Sequence, residues 1–250
     1  MTRSPLLWAE LRRDEVAAAR DAGAVVVIPV GAIEQHGPHL PLNTDISDAW
    51  AVATRLSASC DDPPVLVAPP VPWGVSHYHH VFPGTLSLTV ESLSALLLDL
   101  CRSVATNGFT RIVLLNGHGG NAATIETVAT RANVEGIDVF PITYWHLVPE
   151  TMAELAAHDG GHIGHAGEME TSLQLHLQPD LVDRAALEQP LGRPMEEVAL
   201  VPGIYWPPRV REEAPDGVYG LAHEGTAEKG ERLLAAVVER LTELLRGRLA

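Results

Sequence analysis

Residues 25–45 read VVVIPVGAIEQHGPHLPLNTD. The first part, VVVIPV (25–30), is apolar and rich in β-branched residues, which is typical of a short strand buried on both faces of a sheet. The polar segment that follows places Glu34, His36 and Asp45 just after this strand. A solvated turn has no physical need for histidines interleaved with Glu and Pro. The stretch therefore predicts a buried strand with a functional site at its carboxyl end.

The rest of the chain alternates short apolar runs with helical patterns. Further buried strands are predicted at 65–69, 111–116 and 138–145. Helices are predicted at 46–58, 90–108, 122–136, 167–179 and 228–249. This alternation predicts an α/β fold with a mostly parallel sheet and helices on both faces. The Pro-rich stretch 189–217 is interpreted as a surface excursion, because one helix follows it, so we expect a single domain over residues 1–250.

Composition excludes several classes of protein. The 250 residues are 46% apolar, with a formal net charge of −15, which cannot neutralise a row of phosphates, so no nucleic-acid partner is expected. No apolar run is long enough for a transmembrane helix, and no membrane partner is expected. The N-terminus carries acidic residues where a signal peptide would be apolar, which predicts a cytoplasmic protein. Cys60 and Cys101 are expected to be free thiols.

The first polar cluster has the donors of a metal site. Residues i and i+2 on an extended segment point the same way, so Glu34 and His36 can face one pocket, with Asp45 arriving across a proline-bounded loop. Imidazole nitrogen and carboxylate oxygen are usual ligands of catalytic zinc, manganese or iron, and a carboxylate can bridge two ions. The alternative is a hydrogen-bonded loop in which Asp45 caps the helix 46–58. These residues alone leave both interpretations open.

A second cluster, NGHGGN (116–121), follows the strand 111–116. Its glycines flank His118 and let the backbone approach a ligand or metal closely. The spacing is wrong for a dinucleotide-binding fingerprint. The alternative, a strand-to-helix turn capped by Asn121, accounts for the glycines and the asparagine but not for the histidine.

A third cluster, GHIGHAGEMETS, carries His165, Glu168 and Glu170. The two glutamates would point about 200° apart on an ideal helix, so one is expected to be a ligand and the other a cap or outer partner. Both could instead be solvated carboxylates that the helix dipole favours. His165, in a glycine-rich approach, can act as a proton shuttle, although a lone histidine is more often structural.

The segment 72–88 carries Ser76 and His77, which we expect to contact the substrate. No G-x-S-x-G elbow surrounds Ser76, which argues against a serine hydrolase. Near-adjacent imidazoles such as those of residues 77–80 more often line a pocket rim or lie exposed than bind metal. Trp145, which follows a predicted strand, could close over a planar substrate, or could be core.

Four motifs, EQHGPHLPLNTD, FPGTLSL, NGHGGN and HAGEMETSLQL, resemble those of the creatininase family of metal-dependent amidohydrolases. The resemblance runs in register from residue 24 to 180. It implies that family's α/β fold, a centre of two divalent metal ions (zinc and/or manganese or iron), and a homo-oligomer, with a hexamer as one candidate.

The resemblance also implies roles for individual residues. Glu34, His36, Asp45 and His118 match metal ligands, with Asp45 shared between the ions. His165 matches the histidine that moves a proton to the leaving nitrogen, and we group Glu168 with it as catalytic. Creatininase itself has a Glu two residues after its second histidine ligand, where this chain has Gly120. Glu170 is our first choice to replace that ligand and Glu168 the second.

The expected function is hydrolysis of a C–N bond in a small substrate, a cyclic amide or formamide, by a metal-bridging hydroxide. Creatininase has a Trp-Asp pair where this chain reads Gly161-His162, which argues against creatinine itself. Alternatives on the same centre are a peptidase that trims a cofactor precursor peptide and a hydrolase of a cyclic ketone or lactone. A metal-binding protein without catalysis is the remaining alternative.

Overall fold

A five-stranded parallel sheet lies at the centre of the computed structural model, which describes residues 4–157, 161–194 and 209–247. Its strand order is β1-β3-β2-β4-β5, and every neighbouring pair is parallel. The strands are β1 Leu6–Leu7, β2 Val25–Val30, β3 Val65–Val67, β4 Arg111–Asn116 and β5 Asp138–Thr143. The α/β fold predicted from the sequence is therefore confirmed.

Helices cover both faces of the sheet, as expected. They are α1 Arg13–Asp21, α2 Thr44–Ser59, α3 Val90–Thr106, α4 Ala122–Val134, α5 Pro149–Leu155, α6 Glu168–Leu177, α7 Arg184–Leu187, α8 Val210–Glu213 and α9 Ala227–Arg246. One core packs α2, α5, α6 and α9 on the sheet, and the other packs α1, α3 and α4. Among the helices described, none combines the length and the apolar content that a membrane crossing requires.

The alternation of side chains along the strands explains the two cores. Val25 and Val27 of β2 point into the hydrophobic core that includes α9, while Val26 and Ile28 point into the core that includes α3. All four side chains are buried, because each face of a parallel sheet is covered by helices. This is why β2 is apolar along its whole length.

Element ends differ from the predictions by a few residues, for local reasons. The strand predicted to reach residue 69 ends at Val67, just before two prolines that cannot donate ladder hydrogen bonds. The strand predicted to reach 145 ends at Thr143, where the chain turns into a 3-10 helix. The two-residue β1 was not predicted. Residues 195–208 of the predicted excursion and 248–249 of the final helix lie outside the described residues.

The parallel pairing of β2 and β4 brings two polar loops together. Val30 pairs with Asn116, so the segment that begins at Gly31 starts beside the NGHGGN loop. Gly117 allows α2 to approach this edge, because a Cβ atom there would overlap the main-chain oxygen of Asp45. The first turn of α2 and His118 are thereby placed against each other at the carboxyl ends of the strands.

Candidate metal centre

Two groups of buried side chains at this edge could each hold a metal ion. The His118 triad consists of Glu34, Asp45 and His118, and the His36 triad consists of His36, Asp45 and Glu170. Within each triad the candidate ligand atoms lie within 4.8 Å of one another. All five residues are buried. Asp45 belongs to both triads.

The carboxylate of Asp45 faces the two triads with different oxygens. Its Oδ1 lies 3.0 Å from Nε2 of His36, and its Oδ2 lies 3.0 Å from Nδ1 of His118. The residue lies in the first turn of α2, which begins at Thr44, and the N-cap is Asn43. Asp45 is therefore not the helix cap that the sequence left open as an alternative. One carboxylate thus presents a separate oxygen to each of the two histidines.

In both His36 and His118, the ring nitrogen that faces away from Asp45 is hydrogen-bonded to a main-chain carbonyl group. Nδ1 of His36 donates to the carbonyl of Glu34 at 3.1 Å, and Nε2 of His118 donates to the carbonyl of Val75 at 3.1 Å. A carbonyl can only accept, so each of these nitrogens carries the proton in the neutral ring. The nitrogens that face Asp45 are then available as ligands, which is the arrangement found at metal-binding histidines.

Several buried carboxylate oxygens in the triads have no hydrogen bond. They are both Oε atoms of Glu34 and Oδ2 of Asp45. Asp45 Oδ2 is close to His118, but the geometry is not that of a hydrogen bond. A buried carboxylate oxygen without a hydrogen bond is costly, whereas a bound cation would satisfy all three atoms. The oxygen and nitrogen donors suit zinc, manganese or iron.

Protons on the histidines balance the negative charges of the site. Burial opposes ionisation of Glu34, but His118 outweighs it and lowers the pKa of the carboxyl to about 2. Burial also disfavours protonated His36, yet Asp45 outweighs it and raises the pKa of the imidazole to about 10. The cationic imidazoles thus balance the charge of the buried carboxylates.

The two glutamates of α6 point to different surroundings, as helical geometry predicted. Glu170 belongs to the His36 triad. Burial is the main cause that raises the pKa of its carboxyl group to about 8, and the negative charge of Asp45 adds to this effect. Glu168 is buried instead against Lys229 of α9 and the main-chain N–H of Ala157. Glu168 belongs to neither triad, and Glu170 lies with His36 rather than in the triad of His118.

His165 lies beside the triads and is held in a neutral state. Its Nε2 donates to the carbonyl of Gln35 at 2.8 Å, and its Nδ1 lies 3.4 Å from Oε1 of Glu34. Burial, with His79 and His36 nearby, lowers the pKa of His165 well below its ordinary value. With Glu34 and His36 it also forms a third group that could hold a metal.

His79 is a site residue that the sequence did not single out from its neighbours. Its ring stacks on His165, with centroids 4.2 Å apart, and its Nε2 lies 3.5 Å from Oε1 of Glu34. Burial lowers its pKa to about 4. The three histidines at positions 77, 79 and 80 were the signal in the sequence that could have indicated it. Spacing could not show which ring turns inward, because these residues form a 3-10 helix.

The other expected site residues, Trp145, Ser76 and His77, differ in whether they reach the cavity beside the triads. Trp145 lines a cavity of about 220 Å³ that also includes Asp45, His118 and Glu170. Ser76 is buried behind His118, with its Oγ 3.2 Å from Nε2 of that ring. His77 is exposed and is not among the residues that line this cavity.

Asn121 has a different role from the helix cap that was considered. Its side-chain oxygen accepts from the N–H of Val75 at 2.9 Å, and its amide donates to the carbonyl of Gly31 at 3.0 Å. No side-chain cap bond is present at the start of α4. Asn121 therefore ties together the three loops that carry the site.

Comparison with known proteins gives consistent matches. Residues 9–245 match the family described as Creatininase, creatinine amidohydrolase. The chain is 36% identical over 220 residues to the mycofactocin precursor peptide peptidase of Mycobacterium ulcerans (strain Agy99), covering 86% of this chain and 81% of that protein. It is 32% identical over 256 residues to the creatinine amidohydrolase of Pseudomonas putida, covering 95% of each.

Solved structures show the same relationship. A creatininase mutant of Zn-Zn type superposes with a TM-score of 0.82 at 30% identity, covering 98% of this chain and 99% of that one. A manganese creatininase superposes with a TM-score of 0.81 at 30% identity, covering 98% of each chain.

Proposed function

This chain belongs to the creatininase family, and on that premise we propose that it is an amidohydrolase that uses two divalent metal ions to hydrolyse a C–N bond of a small cyclic amide or formamide. The observation that carries the proposal is the placement of Asp45 between two histidines, one at each oxygen. Orphaned, buried carboxylate oxygens on both Glu34 and Asp45 support it.

The residues of the two triads fit such a centre. Glu34, Asp45 and His118 would hold one ion, and His36, Asp45 and Glu170 the other. When bound, zinc, manganese or iron ions polarise a carbonyl group and lower the pKa of a water molecule towards about 7. This donor set resembles neither a phosphate-binding loop nor a nucleophilic serine site.

His165 is proposed to move the proton to the leaving nitrogen. It lines the cavity, and its neutral ring can accept a proton at Nδ1 while Nε2 stays bonded to the Gln35 carbonyl. The stacked ring of His79 keeps its orientation. Such a shuttle contributes on the order of 10²–10⁴-fold to rate.

The remaining expected residues are proposed to have supporting roles. Trp145 is proposed to pack against the substrate, since it lines the cavity. Ser76 would act through His118, and His77 through the ring of Tyr78, which it contacts edge-on. The contacts of Glu168 with Lys229 support a positioning role at the start of α6 rather than contact with substrate.

A peptidase that trims a precursor peptide is the second candidate. The observation that favours it is the 36% identity to mycofactocin precursor peptide peptidases over 86% of the chain. The cavity of about 220 Å³ suits a small molecule and equally one end of a peptide, so its size is compatible with both candidates.

We further propose a cytoplasmic protein that forms a homo-oligomer, with a hexamer as one candidate, from a single domain over residues 1–250. Exposed apolar side chains such as Trp73 (46% exposed) and Leu86 (58%) support self-association. Sedimentation of the purified protein tests the oligomeric state, and a monomer at all concentrations would contradict it.

Elemental analysis of protein purified without chelator tests the metal centre. We expect about two equivalents of zinc, manganese or iron per chain. Activity against cyclic amides, formamides and peptides should disappear on chelation and return with metal. Absence of bound metal, even after metal is added back, would overturn the proposal. Hydrolysis of peptides alone would favour the second candidate.

A further inference from the structure

The cavity above the two triads contains one charged side chain that is not a candidate ligand or shuttle. This is Glu213, the last residue of α8, which lines the cavity together with Val210 of the same helix. The other walls are aromatic or apolar, with Trp145, Ile163 and Tyr219 among them. Within the described lining there is no Arg or Lys side chain.

Two hydrogen bonds hold the carboxylate of Glu213 in place. Its Oε2 accepts the hydroxyl of Tyr219 at 3.0 Å and the main-chain N–H of Arg209 at 3.2 Å. The main chain of Tyr219 in turn pairs with that of His165 through two hydrogen bonds of 2.8 Å. Glu213 is therefore linked through Tyr219 to the segment that carries His165.

The two arginines nearest to Glu213 in the sequence are engaged elsewhere. Arg209 lies 3.7 Å from Glu212, on the exposed side of α8, and Arg211 donates to the carbonyl of Val81. In the part of the chain that the structure describes, Glu213 forms no ion pair. A carboxylate that lines a cavity without a cation favours a ligand that brings one, through a charge-assisted hydrogen bond.

Building on the proposed function, we infer that Glu213 determines specificity by accepting a hydrogen bond from a cationic nitrogen of the substrate. The substrate is then a small amide that carries an amino or amidine-like group at the end remote from the hydrolysed bond. An anionic group at that end is disfavoured, because it would face the carboxylate of Glu213 in a partly buried cavity. Among peptides, an amino terminus fits this wall and a carboxyl terminus does not.

Binding of matched hydroxamates to the zinc-loaded protein tests the inference without knowledge of the substrate. The hydroxamate group chelates divalent metal ions, and the other end of an alkyl chain carries an amine, a methyl group or a carboxylate. Each type is made in a series of chain lengths and titrated by calorimetry. At the best length we expect the amine to bind about tenfold more tightly than the methyl compound, with the carboxylate weakest.

Two variants separate Glu213 from general effects of charge. Glu213→Gln should remove the preference for the amine and leave the affinity for the methyl compound unchanged, which also shows that the variant is folded. Glu212→Gln is the matched control, because its side chain is 72% exposed on the same short helix and is not part of the cavity lining. This control should keep the full preference.

The outcomes distinguish the inference from the function on which it rests. If no hydroxamate binds the zinc-loaded protein, the proposed metal centre fails, and the inference fails with it. If the hydroxamates bind but the amine has no advantage at any length, Glu213 does not select a cation and the metal centre stands. An advantage that persists in Glu213→Gln overturns the inference in the same way.

Discussion

Tyr78 occupies the space that a side chain at Gly120 would need, because a Cβ atom built on Gly120 would overlap the Tyr78 hydroxyl oxygen. It would also overlap the carbonyl oxygen of Val75 and lie 2.5 Å from Nε2 of His118. The segment 75–78 thus fills the position from which a carboxylate at residue 120 would enter. The glycine found there, where creatininase has a glutamate, is required by the backbone beside it.

Gly120→Glu is therefore expected to damage the site rather than to add a ligand. The main-chain oxygen of Val75 cannot move without shifting its loop, so we expect a loss on the order of 1–3 kcal/mol in the free energy of unfolding and a lower metal content. Thermal unfolding and elemental analysis measure the two. Gly119→Ala is the control, because a Cβ atom there meets nothing within 4 Å. Higher metal content in Gly120→Glu would contradict this account.

Asp45→Ala is expected to remove more metal than His165→Ala. Asp45 belongs to both triads and presents an oxygen to each histidine, so its loss should leave less than about half an equivalent of metal per chain. His165→Ala should retain about two equivalents and lose rate by about 10²–10⁴-fold. Elemental analysis compares the purified variants, and equal metal content in the two would disprove the assignment.

Glu170→Gln and Glu168→Gln are expected to behave differently, although the residues are two positions apart. Glu170 belongs only to the His36 triad, so its variant should keep about one equivalent of metal. Glu168→Gln should keep both ions and lose about 2 kcal/mol of stability, because its charged partner Lys229 is mostly buried. A loss of metal in Glu168→Gln alone would reverse the two roles.

Metal binding is expected to release protons and to strengthen as the pH rises. In the metal-free site Asp45 raises the pKa of His36 to about 10 against the effect of burial, so this ligand is protonated at neutral pH. The proton must leave before the nitrogen can bind, and the apparent affinity should rise about tenfold per pH unit for each proton released.

Calorimetry in buffers of different ionisation enthalpy counts these protons. His165→Ala is the control and should release the same number, because burial and His79 keep the pKa of His165 low and its ring neutral beforehand. An affinity that does not change with pH would show that metal binding does not displace a proton from His36.

The parts of the fold that could be predicted are those encoded in contiguous sequence. The strands at 25–30 and 111–116 were predicted with the bounds that the structure shows, because strands buried on both faces need an unbroken apolar run. The helix predicted to begin at 46 starts at Thr44, since its first turn is polar and faces the site. The strand Leu6–Leu7 is too short to show a period, and its pairing with β3 alone defines it.

The sequence by itself determined the alternation of strands and helices, the parallel sheet and the candidate metal ligands that follow β2 and β4. Only the tertiary structure decided that Glu170 and not Glu168 lies beside His36, and that His79 and not His77 turns inward. It also decided that Glu213 lines the same cavity as Asp45 and His118, which are distant in the sequence. A strand that is buried on both faces is apolar along its length, so its own composition indicates its surroundings. The direction of a side chain on a helix or loop depends on what packs against it, and those partners are distant in sequence.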